Sequence, residues 1–189
     1  MPRGFAKAAA LGALLSVSAV ASAQQATPSS ATPAQPAEML SGAMAPYTWF
    51  PGHWSCQTTV VSSGATTPGT LTVLVDPLHD VLSQHFVATL AGKPYRSDEI
   101  LAYDRTKHAY FQKEVDQTGT QILLFSPGAY QASMTYEGVM VPSSGKLYRM
   151  RATIAVDAAG SQLHTSTAFW QATTKSWAVQ STGACSKQR

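Results

Sequence analysis

The chain has 189 residues, and its 13 Lys and Arg against 10 Asp and Glu give a formal net charge of +3 at pH 7. Arg3 and Lys7 supply two of these positive charges, so the rest of the chain is nearly neutral and shows no basic stripe. Nucleic-acid-binding proteins normally carry such a stripe, and we therefore expect no nucleic-acid partner.

Residues 1–23 contain the three parts of a secretory signal peptide. Arg3 and Lys7 form a basic segment, residues 8–20 are apolar, and Ala21 and Ala23 are the small residues that precede a cleavage site. The apolar run is shorter than the ~20 residues that a transmembrane helix needs. The sequence thus predicts an exported protein, periplasmic or secreted, with no transmembrane anchor in its mature form.

Residues 24–45 consist mainly of Gln, Ala, Thr, Pro and Ser. A segment of this composition buries too little apolar surface to offset the entropy lost on ordering, so we predict a disordered leader. The folded domain then covers residues 46–189, which is an ordinary size for one domain with its own core.

From Gly52 onward, short runs rich in β-branched and aromatic residues alternate with turn residues, a pattern typical of all-β proteins. No stretch of the domain has helical periodicity over more than two turns, which argues against alternating strands and helices. The predicted strands are residues 54–61, 70–75, 82–90, 95–103, 108–115, 120–125, 130–137, 147–156, 162–170 and 176–183.

The two cysteines, Cys56 and Cys185, lie near opposite ends of the predicted domain. In an oxidising compartment we expect a disulfide bond between them, with two unpaired buried thiols as the alternative. The bond requires the first and last strands to be neighbours. Because the connections are short, the sequence predicts an antiparallel up-and-down meander of about ten strands closed into a barrel, with a two-sheet β-sandwich as the alternative.

Two short motifs carry a family resemblance: Gly52-x-Trp54 at the start of the first strand, and Tyr-Asp-Arg-Thr-Lys at residues 103–107. With the length and strand count, they resemble the lipocalin-like (calycin) barrels, especially small exported bacterial members of unknown function and, more distantly, the ten-stranded nitrobindin-type barrels. The resemblance implies that Trp54 packs across the closed end of the barrel under an arginine from the last strand. Here the last predicted strand has no arginine, and only Lys187 and Arg189 follow it.

The five histidines include no pair at close metal-ligand spacing. Nitrobindin-type barrels hold haem through a histidine of a late strand, and the resemblance makes His164 the candidate for that role. His85 lies on another predicted strand and could converge with His164 on a metal or a haem iron. The alternative is that both imidazoles lie at the surface or make ordinary hydrogen bonds. We expect no cofactor, with haem as the exception to test.

Candidate ligand-binding residues come from the aromatic and basic side chains of the strands. A barrel of about ten strands is wide enough to hold a small ligand. The aromatic candidates, each on a different predicted strand, are Phe86, Tyr110, Tyr136 and Trp170. Alternatively, they fill a solid core. Arg149 and Arg151 share one face of a strand, so pointing inward they would bind a ligand carboxylate, and pointing outward they would be solvated.

The predicted strand 95–103 has a mixed face, on which Glu99 lies with Tyr95 and Ser97. A barrel with a partly polar interior produces such a face, and so does an error in the predicted register. Asp98 faces the opposite way, so it cannot act with Glu99 as one carboxylate pair.

The sequence contains none of the common catalytic motifs, such as Gly-x-Ser-x-Gly, His-Glu-x-x-His or Cys-x-x-Cys. We therefore expect no catalysis. The predicted function is binding of a small, mostly apolar molecule by an exported β-barrel. One alternative is an envelope interaction or structural protein with a filled core, and a second is a haem-binding barrel.

Overall fold

A computed structural model describes residues 40–76, 80–90 and 92–189. The predicted signal peptide and most of the predicted leader lie outside these ranges. A 3-10 helix at Gly42–Tyr47 precedes the strands, and no helix in the described ranges is long and apolar enough to cross a membrane. The strands are β1 (Gly52–Val60), β2 (Thr66–Asp76), β3 (Val81–Leu90), β4 (Lys93–Asp104), β5 (Ala109–Asp116), β6 (Gln121–Pro127), β7 (Ser133–Val141), β8 (Tyr148–Val156), β9 (Gln162–Gln171) and β10 (Ser176–Lys187).

These ten strands form one closed antiparallel barrel. Each strand pairs with its neighbour in sequence, and β1 pairs with β10. The predicted meander and barrel are therefore confirmed, and the two-sheet sandwich is wrong. Closure gives every strand two hydrogen-bonded neighbours, so the sheet has no exposed edge.

The seam between β1 and β10 carries the disulfide bond. Cys56 and Cys185 are directly opposite each other in the register of the two strands, and their Cα atoms are 4.0 Å apart. The expected pairing of the two cysteines is confirmed. The bond links the first strand of the barrel covalently to the last.

Side chains alternate between the interior and the surface along the strands, as they must on a pleated sheet. On β7, Met134 and Tyr136 are buried while Thr135 is exposed. Gly138 continues the inward face, and a Cβ atom there would overlap the carbonyl oxygen of Leu123 on β6. The glycine thus allows β6 and β7 to approach closely where the wall curves.

One end of the barrel is covered by residues 40–50, which we call the closing segment. Four of its apolar side chains are buried, namely Leu40, Met44, Tyr47 and Phe50. The Ser41 backbone amide donates to the Asp80 carboxylate at 2.7 Å, and the Tyr110 hydroxyl donates to the Ala43 carbonyl at 2.8 Å.

The packed part of the chain therefore begins by Leu40, whereas the sequence places the start of the folded domain at residue 46. Leu40 is 4% exposed and Met44 is 1% exposed, so both belong to the core. The difference arises because these two apolar side chains lie at the end of a polar, Pro-rich segment. The average composition of that segment predicts disorder although its last residues pack in the core.

Candidate ligand-binding cavity

The barrel encloses a cavity of about 350 Å³. Phe50 of the closing segment forms its floor, and the lining continues to Thr67 and Leu90 near the opposite end of the barrel. Among the described residues, that opposite end carries only the short loops between strands, and we call it the mouth. The interior therefore has the form of a cup with one closed end.

Apolar side chains make up one part of the lining. They belong to Leu71, Phe86, Ile122, Leu124, Met150, Ala152, Ile154 and Leu163, and the Cys56–Cys185 disulfide lies among them. Phe86 has room for its ring because its diagonal neighbour on β2 is Gly69, where a Cβ atom would lie 2.6 Å from the ring. A ligand in the cavity would thus contact a largely hydrocarbon surface.

The carboxyl and amide side chains of the lining all come from β3, β4 and β5, and we call them the carboxyl wall: Gln84, Glu99, Gln112 and Glu114. Serine and threonine side chains of β1, β2, β4 and β8 to β10 also belong to the polar part of the lining. Glu99 lies directly opposite Gln84 on one side and Glu114 on the other. Directly opposed side chains on neighbouring strands have Cβ atoms ~5 Å apart, so the two carboxyl groups are neighbours inside the cavity. The Gln84 amide nitrogen donates a hydrogen bond to Glu99 Oε1 at 2.8 Å.

The carboxyl groups of this wall resist ionisation. Burial raises the pKa of Glu99 to about 8, the charge of Glu114 adds to the shift, and the hydrogen bond from Gln84 opposes it. Burial also raises the pKa of Glu114, where a hydrogen bond from Ser97 acts in the opposite direction. Two neighbouring carboxylates in a cavity of low dielectric repel each other, so the pair holds a proton near neutral pH.

Gln112 differs from the other polar residues of the wall because its side-chain amide has no hydrogen-bond partner among the described residues. It is 5% exposed and lines the cavity two positions from Glu114. Within the described ranges, every side-chain nitrogen or oxygen that is fully shielded from solvent has a hydrogen-bond partner. Because the Gln112 amide has none, its atoms must be accessible from the cavity. A ligand could therefore reach them.

Of the four predicted aromatic lining residues, the structure places only Phe86 in the wall of the cavity. Tyr110 and Tyr136 point inward but lie at the closed end. The Tyr136 hydroxyl is 2.7 Å from that of Tyr47, and the Tyr110 ring packs edge-on against the Tyr47 ring at 5.3 Å between centroids. Both tyrosines fill the core beneath the cavity and do not line it.

Trp170, Arg149 and Arg151 lie on the outer face of the barrel, so none of these candidate ligand-binding residues lines the cavity, and the outward alternative is the one observed for the two arginines. Met150 is the buried residue of that part of β8, so the arginines on either side of it must face outward. The Arg149 guanidinium lies 4.9 Å from the centroid of the Trp170 ring. Arg151 is 2.5 Å from the exposed carboxylate of Glu137.

His164 is exposed on the outer face of β9, so its imidazole does not reach the cavity. His85 is also exposed, and its Nδ1 is 2.6 Å from the Asp98 carboxylate. In residues 40–76, 80–90 and 92–189, no three His, Cys, Asp or Glu side chains are grouped so that they could hold a metal ion. These placements do not bring His164 and His85 together at a haem or metal site.

Trp54 packs at the closed end, where it is 1% exposed and donates its indole N–H to the Phe50 carbonyl at 2.9 Å. The Lys187 ammonium, at the end of β10, lies 5.4 Å from the centroid of the Trp54 ring and donates to the Trp49 carbonyl at 2.5 Å. Gly52 has φ +128°, and a Cβ atom there would lie 3.1 Å from Lys187. The glycine thus leaves space for a lysine that covers the tryptophan.

Three of the cavity-lining residues, Gln84, Gln112 and Glu114, were not predicted from the sequence. Gln112 and Glu114 alternate with exposed residues on β5 and share the inward face with Tyr110. That alternation is visible in the sequence, but the proximity of Glu114 to Glu99 depends on the register between β4 and β5.

No protein-family model and no curated protein sequence matches the chain. Among solved structures, it is similar to a redesigned β-barrel, with 13% sequence identity over 78% of this chain and 96% of that chain, and with a TM-score of 0.42.

Proposed function

We propose that this chain is an exported, calycin-like barrel that binds a small, mostly apolar molecule in its central cavity and carries out no catalysis. The cavity itself is the observation that supports binding. Ligand sites are usually concave, largely apolar and supplied with a few polar groups, and a space of about 350 Å³ that meets this description lies inside the barrel.

Further features support a calycin-like barrel and export of the protein. The contact of the Lys187 ammonium with Trp54 at the closed end is the arrangement implied by the calycin resemblance, with lysine in place of arginine. The Cys56–Cys185 disulfide suits an oxidising compartment, as export to the periplasm or outside the cell would provide. The signal-peptide pattern of residues 1–23 points in the same direction.

The experiment is a titration of the protein with N-phenyl-1-naphthylamine, a neutral apolar dye whose fluorescence rises in an apolar environment. Ala88 is 7% exposed and lines the cavity, so Ala88→Phe fills part of the binding space. Ala184 is exposed on the outer face of β10, and Ala184→Phe is the matched control. We expect the first variant to lose at least about tenfold in dye affinity, which corresponds to ~1.4 kcal/mol, and the control to bind as the original protein does.

Absence of dye binding by the original protein would contradict the proposal and favour a role as an envelope interaction protein. Equal binding by Ala88→Phe and Ala184→Phe would place the dye outside the cavity and would also contradict it.

A further inference from the structure

We propose that the ligand of the cavity carries a protonated amine, whose ammonium group binds at the carboxyl wall between Glu99 and Glu114 while its apolar body packs against β6 and β8. This inference rests on the proposed function and specifies the chemical class of the ligand.

The charge of the cavity lining favours a cationic ligand. Glu99 and Glu114 are directly opposed neighbours and both line it. No lysine, arginine or histidine is found among the described residues that line the cavity. A carboxylate removed from water is costly unless a cation accompanies it. Since none of the described lining residues supplies a cation beside this pair, a cationic ligand is the complementary occupant.

The unpaired amide of Gln112 offers a further hydrogen-bond acceptor beside the two carboxyl groups. Because its amide atoms are accessible from the cavity, a ligand can bind them without first breaking a hydrogen bond within the protein. Gln112 lies beside Glu114 on the inward face of β5, so its amide oxygen can accept a hydrogen bond from a group bound at the carboxyl pair. A primary ammonium has three N–H donors, and the two carboxyl groups with the Gln112 amide offer three acceptors.

The remaining wall of the cavity determines what kind of cation fits. Met150, Ile154 and Leu124 present hydrocarbon to the space beside the carboxyl wall. A metal ion such as Ca²⁺ takes six to eight oxygen ligands and gains nothing from such a surface. An amine attached to an aryl or alkyl body uses both parts of the lining.

Binding of the ammonium should be coupled to release of a proton. The ionisable side chains near the carboxyl pair are Asp116 on β5, Tyr95 on β4 and Tyr136 on β7, and all are acidic or neutral. A bound ammonium would be the positive charge closest to the pair, so it would favour ionisation of both carboxyl groups. The proton that the pair holds near neutral pH would then leave on binding.

The experiment compares 4-phenylbutylamine with 4-phenyl-1-butanol, which have nearly the same size and apolar body. Their affinities at pH 7 are measured by calorimetry and by displacement of N-phenyl-1-naphthylamine. We expect the amine to bind at least about tenfold more tightly, because its hydrogen bonds to carboxylates are charge-assisted. The double variant Glu99→Gln/Glu114→Gln should lose this preference and still bind the alcohol. Glu137→Gln, which removes an exposed carboxylate from the outer face, should keep it.

The possible outcomes separate the two proposals. If neither compound binds, the proposed function fails. If both bind with equal affinity, the cavity binds apolar molecules and the amine inference is overturned. A preference for the amine that persists in the double variant would also overturn it, because the amine would then bind elsewhere.

Calorimetry in phosphate and in Tris supplies a second test that needs no variant. The two buffers have different ionisation enthalpies, so proton release makes the observed binding enthalpy depend on the buffer. We expect this dependence for the amine and none for the alcohol. The same enthalpy for the amine in both buffers would count against binding at the carboxyl pair.

Discussion

The ionisation of the Glu99 carboxyl group should make the stability of the ligand-free barrel depend on pH. Its pKa rises from an ordinary value of 4.5 to about 8, chiefly because of burial. Between these values the folded protein holds a proton that the unfolded chain releases, so the free energy of unfolding should decrease as the pH rises. The decrease begins near pH 4.5 and is complete above about pH 8.

We therefore expect the empty protein to be less stable at pH 8 than at pH 5 by on the order of 2 to 4 kcal/mol. In Glu99→Gln most of this difference should disappear, because glutamine does not titrate. Urea denaturation at the two pH values measures it, with Glu137→Gln as the control that keeps the original dependence. An unchanged pH dependence in Glu99→Gln would show that the Glu99 carboxyl is not responsible.

Single side chains also mark the limit of what the sequence predicts. Arg149 and Trp170 lie outside the cavity although their residue types suit a binding site. A shift of one residue in strand register moves a side chain to the other face, and a single sequence does not fix that register. Glu114 was missed for a related reason, since its proximity to Glu99 exists only through pairing of β4 with β5.

At the scale of elements, the ten strands were predictable because turn residues separate them and because alternation holds along most of them. The closing segment was not. A 3-10 helix of six residues that contains Pro46 has no periodic pattern, and its core contacts, such as that of Tyr47 with Tyr136, join residues far apart in the chain. The apolar floor of the cavity therefore depends on tertiary packing.

The closing segment should contribute strongly to stability. Met44 is 1% exposed, so Met44→Ala leaves a void in the core and should lower the free energy of unfolding by about 2–5 kcal/mol. Thr48 is exposed in the same segment, and Thr48→Ala should change it by less than ~0.5 kcal/mol. Urea denaturation of both variants provides the test. Equal, small effects would show that the segment does not complete the core.

At the scale of the whole molecule, the disulfide joins residues that are 129 positions apart. A cross-link over so long a loop reduces the entropy of the unfolded chain, which stabilises the fold by about 3–5 kcal/mol. We expect Cys56→Ala/Cys185→Ala to lose this amount in urea denaturation, and reduction of the original protein to cause a loss of similar size. If neither changes the denaturation midpoint, pairing of β1 with β10 does not depend on the bond.

The chain enters and leaves the barrel at the same end. Leu40 and Phe50 cover the closed end, and Lys187, the last residue of β10, contacts Trp49 there. A fusion partner or affinity tag joined after Arg189 would therefore emerge on the side opposite the mouth. Protein immobilised on a sensor chip through such a tag would present its opening to the flowing solution, which makes this orientation the natural choice for measuring ligand uptake.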